Sequence, residues 1–165
     1  MGKEIRRVPP NWEHPRRRDG NYQPMFDQVY AERAREWLDE CKAWDDGTHP
    51  TILDDPAVKQ RVPFFWDWEG GPPDRAYYRD AWNDEPTWFQ VYETVTEGTP
   101  VTPPFATEEE IVDYLVNVGT YYDGKKYSRE AAAAFVHTGW APSMILRYDQ
   151  NGMSAMDGIE ASALH

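Results

Sequence analysis

At 165 residues with a formal net charge of −12, the chain has room for one well-packed domain rather than two. Eight Trp, ten Tyr and six Phe supply burial area that disordered chains lack. No run approaches the roughly 20 apolar residues a membrane-crossing helix needs, and residues 1–15 hold no apolar leader segment, so the expectation is a soluble, unexported protein. Cys41 stands alone, which excludes an intrachain disulfide and a cysteine-paired zinc site and suits a reducing cytoplasm. Its place on the apolar side of a predicted helix reads as a small buried hydrophobe rather than a nucleophile.

In chain order, residues 1–24 contain four prolines and little periodicity, and they read as an extended arm. From Met1 to Arg18, six bases (Lys3, Arg6, Arg7, Arg16, Arg17, Arg18) face only Glu4 and Glu13, so this arm is basic while residues 25–157 form an acidic body. Phe26, Tyr30, Ala34, Trp37, Cys41 and Trp44 recur at helical spacing and Gly47 follows as a stop, predicting a helix of about 27 Å. Thr48 to Asn83 is a long irregular stretch, rich in proline and aromatics, expected to pack through its own side chains. Trp88 to Val95 alternates as a strand, with Gln90 and Tyr92 on one face and Phe89 and Val91 on the other. Thr107 and Glu110 form a capping box for a helix over Glu108 to Val118, and Ser128 caps another that Gly139 ends. Met144 to Tyr148, the Asn151-Gly152 turn and Met153 to Met156 read as a hairpin, and residues 158–165 as a frayed tail. The sum is a single α+β domain, a small antiparallel sheet with helices packed on one face and a long irregular segment.

The chemistry-bearing residues form no catalytic signature. His14, His49, His137 and His165 are scattered without metal-ligand spacing, and Ser128, Ser143 and Ser154 lie in no nucleophile elbow. Phosphate-loop and dinucleotide motifs are absent as well. Carboxylates such as Asp45-Asp46 and Asp54-Asp55 are abundant, but abundance says little on an acidic surface. With no catalytic motif found, the chain reads as a non-enzyme with no cofactor and no metal, the open alternative being an acid/base pair or a magnesium site among these carboxylates, since neither needs a local motif.

Two binding readings follow from composition. Trp12, Trp66, Trp68, Trp82 and Trp140 are candidates for a base-stacking or sugar-binding pocket, although large aromatics also simply fill a core. An aromatic pocket lined by Arg6, Arg7, Trp12 and Tyr92, with His14 orienting a ligand or satisfied by backbone, would take a nucleotide. Alternatively, carboxylates along the first helix, Asp39, Glu40, Asp45 and Asp46 among them, imitate the charge spacing of a duplex, about one per 1.7 Å, and would engage a basic groove on a protein. The same acidity speaks against direct nucleic-acid binding.

Three strings carry a resemblance. Arg6-Arg7-Val8-Pro9-Pro10-Asn11-Trp12-Glu13-His14-Pro15, Tyr92-Glu93 with Glu97-Gly98-Thr99-Pro100, and Gly139-Trp140-Ala141-Pro142-Ser143-Met144 resemble a family of small uncharacterised proteins of tailed bacteriophages and prophages. The resemblance implies the cytoplasm of an infected bacterium and an accessory protein acting by stoichiometric binding, foremost inhibition of a host antiviral system. Glu93, Glu97, Trp140 and Ser143 are then candidate contacts. A nucleotide sponge and a virion or assembly component are the alternative roles.

Overall fold

The computed structural model describes residues 2–79, 84–94, 98–121, 124–149 and 152–164. In chain order its elements are β1 (Gly2–Val8), β2 (Phe26–Val29), α1 (Tyr30–Asp46), α2 (Pro50–Asp54), α3 (Val58–Arg61), α4 (Phe65–Glu69), a 3-10 turn (Arg75–Tyr77) and β3 (Tyr78–Arg79). There follow β4 (Trp88–Glu93), β5 (Thr99–Pro100), α5 (Glu108–Asn117), α6 (Arg129–Thr138), β6 (Trp140–Pro142), β7 (Met144–Asp149), β8 (Gly152–Asp157), α7 (Gly158–Ala161) and a closing 3-10 turn (Ser162–Leu164). The class is α+β, as expected, and the chain gathers into two compact units, residues 26–81 and the remainder.

The larger unit is built on an antiparallel sheet in the order β5-β4-β1-β6. Register sets what each face carries, because side chains alternate along a strand. Ile5 lies opposite Val91, Arg7 opposite Phe89 and Lys3 opposite Ala141, and on this face Val91 and Ala141 join Ile111 and Leu115 of α5, Phe135 of α6 and Ile159 of α7 in one buried cluster. Glu4, Arg6, Gln90 and Tyr92 fall on the opposite face. α5 starts at the expected capping box, the Thr107 hydroxyl accepting from the Glu110 amide at 3.3 Å while the Glu110 carboxylate accepts from the Thr107 amide at 3.0 Å. α6 is capped by Ser128 and stopped at Gly139, again as the sequence indicates.

Two expectations change here. Residues 2–8 are not an extended arm laid over the domain but an interior strand, flanked by β4 and β6. The strand pattern is hidden because four of its residues are charged, yet those charges are accommodated: Lys3 lies 3.7 Å from Asp157, Arg6 lies 2.7 Å from Glu4, and Arg7 sits 3.9 Å over the Phe89 ring. Nor do residues 158–164 fray. Asp157 caps α7, Ile159 enters the core, and Gly158 packs where a Cβ would collide with the Pro142 carbonyl.

In the smaller unit α1 begins at Tyr30, four residues later than its apolar spacing suggests, because Phe26–Val29 pairs in parallel with β3. The rest of the stripe behaves as core: Trp44 is fully buried among Ile52, Val58 and Phe65, with Trp37, Cys41 and Val62 against them. The stretch expected to be irregular forms α2, α3 and α4, short helices whose apolar residues close over α1. The Trp44 indole donates to the Val62 carbonyl at 3.2 Å, tying this wrap to the helix. Burial, with Asp45 and Glu40 nearby, pushes the Cys41 thiol up, away from nucleophile chemistry. Among the described residues, no helix is long and apolar enough to cross a membrane.

Candidate functional site

The polar face of the main sheet brings together three of the residues singled out from sequence. His14 is buried, its Nε2 2.7 Å from the Gln23 carbonyl and its Nδ1 3.0 Å from the Tyr92 hydroxyl. A carbonyl only accepts, so Nε2 carries the proton. Burial draws the His14 pKa down from 6.5 to about 4, with Arg6 and Arg16 pushing the same way against the bond to Gln23. The ring is therefore neutral at pH 7 and Nδ1 accepts from Tyr92. Gln90 Oε1 also lies 3.0 Å from the Tyr92 hydroxyl, so two acceptors compete for one phenolic proton. Arg6, only 7% exposed, bonds Glu4, donates to the Met25 carbonyl and rests 4.5 Å from the centre of the Tyr92 ring.

This arrangement corrects the expected pocket of Arg6, Arg7, Trp12 and Tyr92. Arg6 and Tyr92 are buried and spent on each other and on backbone, while Arg7 projects from the opposite face over Phe89. Strand alternation separates neighbours in sequence. Trp12 does line a cavity, one of about 550 Å3 that also involves Glu13, His14, Arg16, Tyr22, Gln90 and Tyr121. Arg16, Tyr22 and Tyr121 were not indicated by any motif; they are brought together by the turn after Pro15 and the loop after α5.

The proposed acidic face on α1 belongs to the smaller unit, and it carries its own counter-charges. Glu40 accepts from Arg33 at 3.0 Å, Asp45 lies 3.7 Å from Lys59, and Arg35 and Lys42 punctuate the helix around exposed Asp39 and Asp46. Basic side chains therefore interrupt the row of carboxylates along α1. Trp66 in this unit stacks on Phe64 and Trp68 on Trp44, and both remain about half exposed. Glu97 and Trp82 lie outside the described residues. Glu93 ends β4 opposite Lys3 and Thr99.

Trp140 and Ser143 flank the start of the β7–β8 hairpin, which forms a sheet of its own. The register places Leu146 opposite Ala155 and Tyr148 opposite Met153, so Met144, Leu146, Tyr148 and Met153 share one face. All four are exposed, Tyr148 to 78%. At the foot of the hairpin, Trp140, 52% exposed, joins Pro142, Ile145, Gly158 and Ala161 around a mostly apolar cavity of about 410 Å3. The Ser143 hydroxyl is buried with no hydrogen-bond partner among the described residues. The sheet edges contrast with this. β5 and β6 are two and three residues long and each contains a proline, which blunts them against pairing, whereas β7 and β8 run six residues each without proline.

Among the described residues, no group of three or more His, Cys, Asp or Glu side chains is placed to hold a metal ion. No protein-family model, no curated protein and no solved structure matches this chain.

Proposed function

We propose that this protein acts by stoichiometric binding to another protein, through the β7–β8 hairpin and the apolar cavity at its foot. The observation that carries the reading is the row of Met144, Leu146, Tyr148 and Met153, exposed together on strands without edge protection. Contiguous exposed apolar surface of this kind marks an interaction site or an aggregation hazard. Charge selects the partner. A molecule of net charge −12 repels a second copy of itself, nucleic acid and anionic lipid alike, and favours a protein with an apolar centre and a basic rim. The resemblance to phage proteins makes a component of a bacterial antiviral defence the partner class, met in the cytoplasm of the infected cell.

The test is capture of the tagged protein from infected and uninfected cells, run in parallel with two variants and with sedimentation of the purified chain. Leu146→Ser with Tyr148→Ser is expected to lose a stoichiometric partner, while charge reversal at Asp39, Glu40, Asp45 and Asp46 retains it. Loss with the reversed helix and retention with the altered hairpin overturns the assignment in favour of acidic mimicry. A wild-type dimer that the hairpin variant converts to monomer makes the occupant a second copy, and recovery in purified particles makes the protein a virion component; either result overturns the reading too.

A further inference from the structure

Arg16, Arg17 and Arg18 stand out in a chain with 29 acidic residues and 17 basic ones. Lys3, Arg6, Arg33, Lys59, Arg61, Arg79 and Arg129 all lie within ion-pair distance of a carboxylate, whereas none of these three does so among the described residues. Their backbone is fixed rather than loose. The Arg17 amide donates to the Asn21 carbonyl at 2.8 Å, the Gly20 amide to the Arg17 carbonyl at 3.0 Å, and Arg16 both donates to the Gly20 carbonyl at 2.8 Å and sits 3.8 Å from the centre of the Tyr22 ring. The carboxylate in this turn, Asp19, is near Arg17 but accepts from the Asn21 amide at 3.0 Å rather than forming an ion-pair contact, and cations without such a contact are more available to an anion than salt-bridged ones.

Two concavities meet at this turn. One is the cavity of about 550 Å3 reaching from Trp12 past Pro103 and Pro104 to Gln90. The second, about 350 Å3, takes in Arg16, Arg17, Asn21, Pro24 and Thr99. Arg16, Tyr22 and Tyr121 line both, and the two tyrosine rings lie nearly parallel, 17° apart. The first concavity, which Glu13 also lines, thus offers ring surfaces, and the second offers guanidinium groups. From these juxtaposed halves we infer a binding site for a planar heterocycle carrying a phosphate, a ligand of the nucleotide class, its ring on the Trp12 and Tyr121 side and its anion at Arg16 and Arg17.

The chemistry of each half argues for both parts of the ligand. A phosphate alone leaves the aromatic cavity unused, and an uncharged ring leaves the arginines uncompensated. Gln90 is held by donation to the Thr102 carbonyl at 2.8 Å and His14 by Gln23, so the buried end of the cavity is a preformed wall that needs no rearrangement to receive a ring. This site is on the polar face of the main sheet, and it is independent of the hairpin proposed above as the protein-binding surface.

Calorimetric titration and thermal unfolding with AMP, GMP, CMP and UMP, with the matching nucleosides, and with inorganic phosphate test the inference. At least one nucleotide is expected to bind and raise the unfolding temperature at about 1 mM ligand, with its nucleoside and phosphate each weaker by about tenfold or more. Arg17→Gln, an exposed change that leaves the fold intact, is expected to weaken the nucleotide by about tenfold and leave the nucleoside unaffected. Failure of every probe to bind overturns the inference. So does phosphate binding as well as the nucleotide, which reduces the site to an anion contact, and so does nucleotide affinity unchanged in Arg17→Gln.

Discussion

His14 makes stability depend on pH in a window that few other groups share. In the unfolded chain its imidazole titrates near 6.5, and in the folded protein burial holds it down to about 4. Above pH 6.5 the ring is neutral in both states and no penalty arises. As the pH falls, the unfolded chain takes up a proton that the folded protein refuses, so stability declines through the window from 6.5 to 4. A shift of that size corresponds to about 3 kcal/mol at full extent, and to about 2 kcal/mol between pH 7.5 and pH 5. The assay is urea unfolding of the wild type and His14→Gln at several pH values across that range. Carboxylates common to both chains cancel in the difference, so the wild type is expected to lose about 2 kcal/mol more than the variant between those limits. Imidazole shifts followed by NMR on the folded wild type supply a reading that does not depend on the variant. A midpoint near 6.5 for His14, or equal pH slopes in the two chains, refutes the reasoning.

Gly98 adopts a φ of +97°, and a Cβ there would run into the Met25 carbonyl and the Arg6 guanidinium, so Gly98→Ala is expected to destabilise by more than about 2 kcal/mol in urea titration. A change under about 0.5 kcal/mol means that Arg6 and the 9–25 segment are not held as described. Ile159→Ala removes a fully buried side chain from the α5–α6 core and is expected to lower stability by about 2 to 5 kcal/mol, which chemical denaturation reads directly. A near-neutral result returns residues 158–164 to the status of a loose tail.

What the sequence disclosed and what it concealed divide along a physical line. Elements whose signals are local were legible: the Thr107–Glu110 capping box, Ser128 and Gly139 around α6, and the alternation of Trp88–Glu93 all appear within a residue or two of their expected places. β1 was not, because its identity depends on partners far along the chain that neutralise or stack on its charges; a strand reading K-E-I-R-R-V looks like a solvated arm until Glu93, Phe89 and Asp157 are beside it. The same rule governs the site. Sequence adjacency grouped Arg6 with Arg7, and the pleat sends them to opposite faces, one buried against Tyr92 and the other over Phe89. The cations of the inferred ligand site are instead Arg16 and Arg17, where the local charge count was visible but the absence of an ion-pair contact among the described residues was a property of the fold. Aromatic composition pointed to packing in Trp44, which is fully buried, while Trp66 and Trp68 stack on neighbours and stay about half exposed; the exposed row on the hairpin is made of Met, Leu and a single Tyr, residue types that a strand normally hides. A row that is apolar, exposed and set on open edges is therefore better evidence of a partner than any string that drew notice by its composition.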